Sequence, residues 1–195
     1  MKTSCEIGCL IIDEPLQPVG ALKPLAQALH QAGVRTAEFV PRDPRRLHLA
    51  LQNAYQQVRR DDAVNGIVAL GSGCDCALAL ASQLPTDRLV LLEPLNWRSE
   101  GELGRQLGRV RRYARRGAAF CVSDVLILPG PCTDPDLPER LRRALCNSRV
   151  ALLEVPDPAA PEGKELIKTA ILHFLRHGVL PKSLAENPEM CIIYG

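Results

Sequence analysis

Short apolar runs alternate with longer amphipathic segments along this chain of 195 residues. The runs Ile7–Ile12, Thr36–Val40, Gly66–Leu70, Leu89–Leu92, Val125–Leu128 and Val150–Val155 are nearly continuous in apolar residues. Such runs suit parallel strands covered on both faces, since a half-exposed strand would alternate apolar with polar. Between them lie helical patterns. Ala21–Gln31 sets Leu22, Leu25, Ala26 and Leu29 on one face, and Gly33 stands where a helix-ending glycine belongs. Similar periodicity predicts helices over Arg45–Arg60, Cys76–Leu84, Glu100–Arg116, Glu139–Cys146 and Glu162–Arg176. Strand and helix in strict alternation predict a three-layer α/β fold around a six-stranded, mainly parallel sheet with right-handed crossovers. Residues 1–180 read as one domain and 181–195 as a C-terminal tail. Its Cys191-Ile192-Ile193-Tyr194 run is apolar enough to dock on the body or on a partner.

Composition narrows the class without naming a function. The chain is 46% hydrophobic and 24% charged, which excludes wholesale disorder. A net charge of +2 is too weak to point to nucleic acid or a membrane surface. Aromatic residues make up 4%, too few to build stacking platforms. The apolar run near the N-terminus is cut off by Asp13 and Glu14, too early for a signal peptide. No stretch approaches a membrane span of roughly 20 apolar residues. A cytoplasmic protein is expected, in which the eight cysteines stay reduced.

In a parallel sheet of this kind, ligands bind outside the carboxyl ends of the strands. The segments to examine are therefore Asp13–Pro18, Pro41–Asp43, Gly71–Cys76, Glu93–Trp97, Pro129–Asp136 and Pro156–Glu162. Asp13, Glu14, Asp75, Asp134, Cys74, Cys76 and Cys132 all map near this edge. Thiolates and carboxylates can ligate zinc, but a single C-x-C lacks the second pair that a zinc site needs, so no metal or other cofactor is assigned. Gly71-Ser72-Gly73 lacks both the G-x-G-x-x-G spacing and a phosphate-binding lysine, which argues against a nucleotide site. Arg98–Arg116 carries seven arginines against Glu100 and Glu102 and reads as a solvated helix, with a grip on phosphate or an acidic partner as the alternative.

The run GIVALGSGCDCALALASQLPTDRLVLLEP (Gly66–Pro94) resembles the nucleophile-elbow unit of the α/β-hydrolase superfamily, where a strand turns sharply into a helix through G-x-S-x-G. Leu10–Pro41 is similar to the opening of the esterases and monoacylglycerol lipases: a strand, a His-Gly loop, a helix and a second strand. Asp124–Leu145 resembles the strand and acid loop, and Val150–Leu175 the final strand, histidine loop and closing helix. The resemblance implies strand order 2-1-3-4-5-6 and a minimal core without the cap domain or the leading antiparallel strands.

Carried over residue by residue, the resemblance departs from its catalytic pattern. Aligning Ala77, Leu80, Ala81 and Pro85 on the elbow helix puts Gly71 at the nucleophile position, with Ala69 and Gly73 at the flanking small positions. Asp13 and Glu14 stand where the family has its His-Gly pair, and carboxylates there would oppose a developing oxyanion. Asp134 matches the triad acid. The loop Pro156–Pro161 contains no histidine, and His30, His48, His173 and His177 all fall on helical segments as surface or half-buried residues. The leading expectation is a non-catalytic binding or interaction module. Asp13, Glu14, Ser72, Cys74, Cys132 and Asp134 are then the pocket candidates, and a small molecule, another protein or a second copy the partner. Two alternatives stay open. One is a small ester or thioester hydrolase using Ser72 or Cys74 with Asp134; the other is a metal or cation binder at the same edge.

Overall fold

The computed structural model describes residues 6–14, 21–41, 47–94, 122–131, 133–145, 147–185 and 192–194. Seven strands form one sheet: β1 (Ile7–Ile12), β2 (Arg35–Phe39), β3 (Val64–Leu70), β4 (Thr86–Leu92), β5 (Val122–Leu128), β6 (Arg149–Leu153) and β7 (Ile192–Tyr194). Their order is β2-β1-β3-β4-β5-β6-β7. The first six pair in parallel, as expected, whereas β7 runs antiparallel to β6 with Leu152 opposite Ile193. The six-stranded expectation is thus extended by one strand from the segment read as a tail. The helix expected over Glu100–Arg116 lies outside the described residues, as do Cys132 and the arginines of 98–116.

The helices α1 (Lys23–Gln31), α2 (Leu47–Val58), α3 (Gly73–Ala81), α4 (Leu137–Ala144), α5 (Pro161–His177) and α6 (Lys182–Ala185) divide between the two faces. Alternation along each strand makes the division. Leu10, Ile12, Ile67, Ala69, Leu89, Leu91, Val125 and Ile127 point to one side, against Leu51 and Tyr55 of α2 and Ala77 and Leu80 of α3. Cys9, Ile11, Val68, Val90, Leu92, Leu126 and Leu128 point to the other, against Ala26 and Leu29 of α1 and Ile171 and Phe174 of α5. Both faces of the central strands are therefore dry, which is why those strands read as unbroken apolar runs. Among the described residues, no helix is long and apolar enough to cross a membrane.

Charge enters the sheet at the amino ends of its strands. Arg88 on β4, Asp124 on β5 and Arg149 on β6 lie side by side in register. Asp124 is fully buried and accepts from Nη1 of Arg88 on one side and, at 2.5 Å, from Nε of Arg149 on the other. Gly178, the left-handed residue that ends α5 at φ +71°, closes over this pair. A Cβ there would meet Asp124 Oδ2 at 2.5 Å and Arg88 Cζ at 2.7 Å. The Arg88 side chain is itself mostly buried, so removal of its carboxylate partner would strand a desolvated cation. Asp124→Ala is expected to lower stability by about 3–5 kcal/mol in urea denaturation. Arg149 is 71% exposed, and Arg149→Ala should cost under about 1 kcal/mol.

Candidate functional site

β3 delivers the chain to a tight turn at the carboxyl edge of the sheet. Gly71, directly after Leu70, takes φ +55°, in the left-handed region that disfavours any residue with a Cβ. Its N–H donates to Leu92 O at 2.9 Å, tying the turn to the end of β4. Ser72 then takes right-handed helical angles and α3 starts at Gly73. A Cβ on Gly73 would stand 2.9 Å from the Ile12 carbonyl, so only a glycine lets the turn press this closely against the end of β1. Strand, left-handed apex and abrupt helix start follow one another within four residues. Ala69 and Gly73 flank the apex, as the elbow register requires.

Space above the apex is filled. A Cβ at Gly71 would lie 2.4 Å from Oε2 and 2.7 Å from Cδ of Glu14. The Glu14 carboxylate thus occupies the volume that a side chain at the elbow apex would need. Glu14 and its neighbour Asp13 are both buried. Asp13 is held by its own loop: its N–H donates to Phe39 O at 2.9 Å, and its Oδ1 accepts from the Glu14 N–H at 2.9 Å. Its Oδ2 also accepts from the N–H of Leu22 at 3.5 Å, next to the start of α1.

The remaining residues singled out by sequence take other positions. Ser72 is 3% exposed, and its hydroxyl has no hydrogen-bond partner among the described residues. Cys74 is buried in the first turn of α3, with its thiol directed at Ala69 O (3.4 Å) and Leu92 O (3.5 Å). Burial pushes its pKa well above the ordinary thiol value, with further elevation from Asp75, so the thiolate needed for attack is suppressed. Cys76 is raised for the same reasons, and burial lifts Cys9, in β1, to about 12. Asp134 opens α4: Oδ1 accepts from the Asp136 N–H at 3.0 Å and Oδ2 from Arg140 Nη2 at 3.1 Å. Among the described residues, no group of three or more His, Cys, Asp or Glu side chains gathers in a metal-binding arrangement.

All four histidines lie away from the elbow. Helices that follow parallel strands run back toward the strands' amino ends, so the final turns of α1 and α5 carry His30 and His177, with His173 one turn before, toward the far edge of the sheet. His48 does start α2 on the near edge, but it is exposed, on a helix that packs on β2, β1 and α3. Asp134 follows β5, three strand spacings from β1, on the order of 14 Å. After β6, where the resemblance places a histidine, Asp157 instead accepts from the N–H groups of Ala159 and Ala160 just before α5.

One residue at this edge was marked by the sequence only as the start of a strand-end loop. Glu93, directly after β4, takes φ +46°, and its side chain lies over Gly130, where a Cβ would come within 2.4 Å of Glu93 Cγ. Glutamate has no special tolerance for this region of backbone space. Its conformation follows from the Glu93 N–H donating to Leu128 O at 2.8 Å and from the opening that Gly130 leaves.

Among solved structures, one from a description of LipS and LipT, two metagenome-derived lipolytic enzymes, aligns with TM-score 0.65. The alignment spans 88% of this chain and 95% of that one, at 14% sequence identity. The chain has an α/β-hydrolase-like core. The strand order β2-β1-β3-β4-β5-β6 and the elbow-like turn after β3 are its recognisable parts. No family model matches the sequence, and neither does any curated protein.

Two measurements follow from this geometry. Gly71→Ala places a Cβ both in the left-handed region and against Glu14, while Glu14→Ala removes the second obstacle. The double variant should therefore be more stable than the sum of the singles predicts, by about 1 kcal/mol in urea denaturation. Strict additivity would contradict the contact. Separately, Cys9, Cys74 and Cys76 should stay unmodified when the native protein meets iodoacetamide at pH 8. All eight cysteines should react once the chain is unfolded, as read by peptide mass spectrometry.

Proposed function

We propose that this protein is a non-hydrolytic member of the α/β-hydrolase architecture, using the carboxyl edge of its sheet to bind a small molecule or another protein in the cytoplasm. The observation that carries the reading is the apex itself: Gly71 holds the left-handed position and the Glu14 carboxylate fills the space beside it.

Acyl transfer through such an elbow needs a nucleophilic atom, a base to activate it, and donors facing the developing oxyanion. Glycine supplies no nucleophilic atom. Ser72, one residue on, sits at the helix start with its hydroxyl buried, and among the described residues no histidine is hydrogen-bonded to it to take its proton. The carboxylate of Glu14 also works against the third requirement. A like charge about 4 Å from an oxyanion opposes it by about 4 kcal/mol at an effective dielectric near 20. Such a term slows a reaction by about a thousandfold. Asp134, at the position of the family's acid, is engaged with Arg140 and the first turn of α4. Each departure alone weakens hydrolysis; together they leave a shaped strand edge suited to binding.

The hydrolase alternative makes an opposite claim that one assay separates. Purified protein should remain unlabelled by a fluorophosphonate probe, and it should hydrolyse p-nitrophenyl butyrate no faster than the Ser72→Ala variant. Probe labelling at Ser72 that this substitution abolishes would overturn the proposal.

A further inference from the structure

His173 and His177 stand one helical turn apart near the end of α5, with ring centroids 4.5 Å apart and planes tilted by 49°. Neither ring is in the core: His173 is half-buried and His177 exposed. The i, i+4 spacing puts both imidazoles on one face, the arrangement by which two histidines on a helix share a metal ion. His173 is also oriented. Its Nδ1 lies 2.9 Å from Val179 O, and a carbonyl can only accept, so Nδ1 carries the proton. In the neutral ring the lone pair is then on Nε2. Donation of the second ring nitrogen to a backbone carbonyl is how metal-binding histidines are fixed in tautomer and angle.

The surroundings favour a cation as well. His177 sits in the last turn of α5, with His173 one turn before it, and carbonyls left without helical partners at that end make the local field negative. Arg176, between them in sequence, is drawn aside: its Nη2 donates to Ala32 O at 2.8 Å, at the end of α1. The turn beyond the helix is also set, because Gly178 adopts its left-handed conformation and donates its N–H to Phe174 O at 2.7 Å. That turn presents the Val179 carbonyl to His173.

We propose that His173 and His177 form a two-histidine chelate for a borderline divalent transition cation such as Zn2+, on the face of α5 remote from the elbow. Two imidazole nitrogens supply half of a tetrahedral shell, and water or a donor from another molecule completes it. The same pair ranks Cu2+ above Zn2+ and leaves Mg2+ and Ca2+ unbound, because imidazole suits the former two and the latter require oxygen ligands.

Calorimetric titration of the full chain with Zn2+ tests the assignment. One equivalent should bind, and His177→Gln and His173→Gln should each weaken it by at least about tenfold, the lower end of what losing even an outer partner costs. The double variant should bind at least as weakly as either single variant. His177 is exposed, so His177→Gln retains the fold and carries the test even if the His173 variant loses its bond to Val179. Zinc affinity unchanged in His177→Gln would overturn the proposal, since the ion would then be held elsewhere, for instance by thiols. Two independent equivalents, one lost with each histidine, would overturn it equally.

Discussion

A parallel sheet covered on both faces imposes one constraint from which most of this molecule follows. Every residue in the middle of β1, β3, β4 and β5 faces a layer of helices, so those positions exclude charge. Each parallel pairing also requires a crossover, which fixes helices to the faces and turns to the two ends. Polar chemistry is thereby expelled to the ends of the strands. At the amino end it appears as the Arg88–Asp124–Arg149 ladder, and at the carboxyl end as Asp13, Glu14, Glu93 and Asp134.

The same constraint explains which parts of the fold were legible in the sequence. Unbroken apolar runs located all six parallel strands, and β1 matches its expected bounds. The runs for β3, β4 and β5 came out two or three residues short at their starts. There Asn65, Asp87, Arg88 and Asp124 interrupt the apolar pattern, and a charged residue reads as the end of a strand. In the structure those charges neutralise one another across neighbouring strands or bond to backbone: Asp87 Oδ2, for example, accepts from the Asn65 N–H at 2.7 Å. Pairing between distant segments removes the cost that a local reading assigns to each charge. The apolar run at 192–194 was visible too, but nothing local showed that it would pair with β6.

At the candidate site, the spacing of small residues placed Gly71 at the apex. The identity of the group facing it was not legible, because Glu14 lies 57 positions earlier and arrives through the pairing of β1 with β3. Its carboxylate was expected in the neighbouring loop as a charge opposing an oxyanion and as a pocket candidate. The structure adds a steric role, since it takes the volume of the missing side chain. A glycine at such a turn is also the less strained choice: a left-handed non-glycine residue costs about 1–2 kcal/mol, which working enzymes tolerate for the sake of reactivity. Cys74 shows the converse. It lies within the right five residues, yet its thiol faces two carbonyls in the core and serves packing.

The reversal of direction at β7 carries a topological consequence. A parallel seventh strand could follow directly from α5, the helix that already returns the chain from the end of β6. β7 instead runs antiparallel and is entered beside Leu153, at the carboxyl end of β6. β7 is three residues long and pairs with β6 alone. It occupies the periphery of the hydrogen-bond network, held on one side only. Opening free energies are lowest at such margins. The sheet thus ends in its shortest strand, joined to the six-stranded body by three residue pairs.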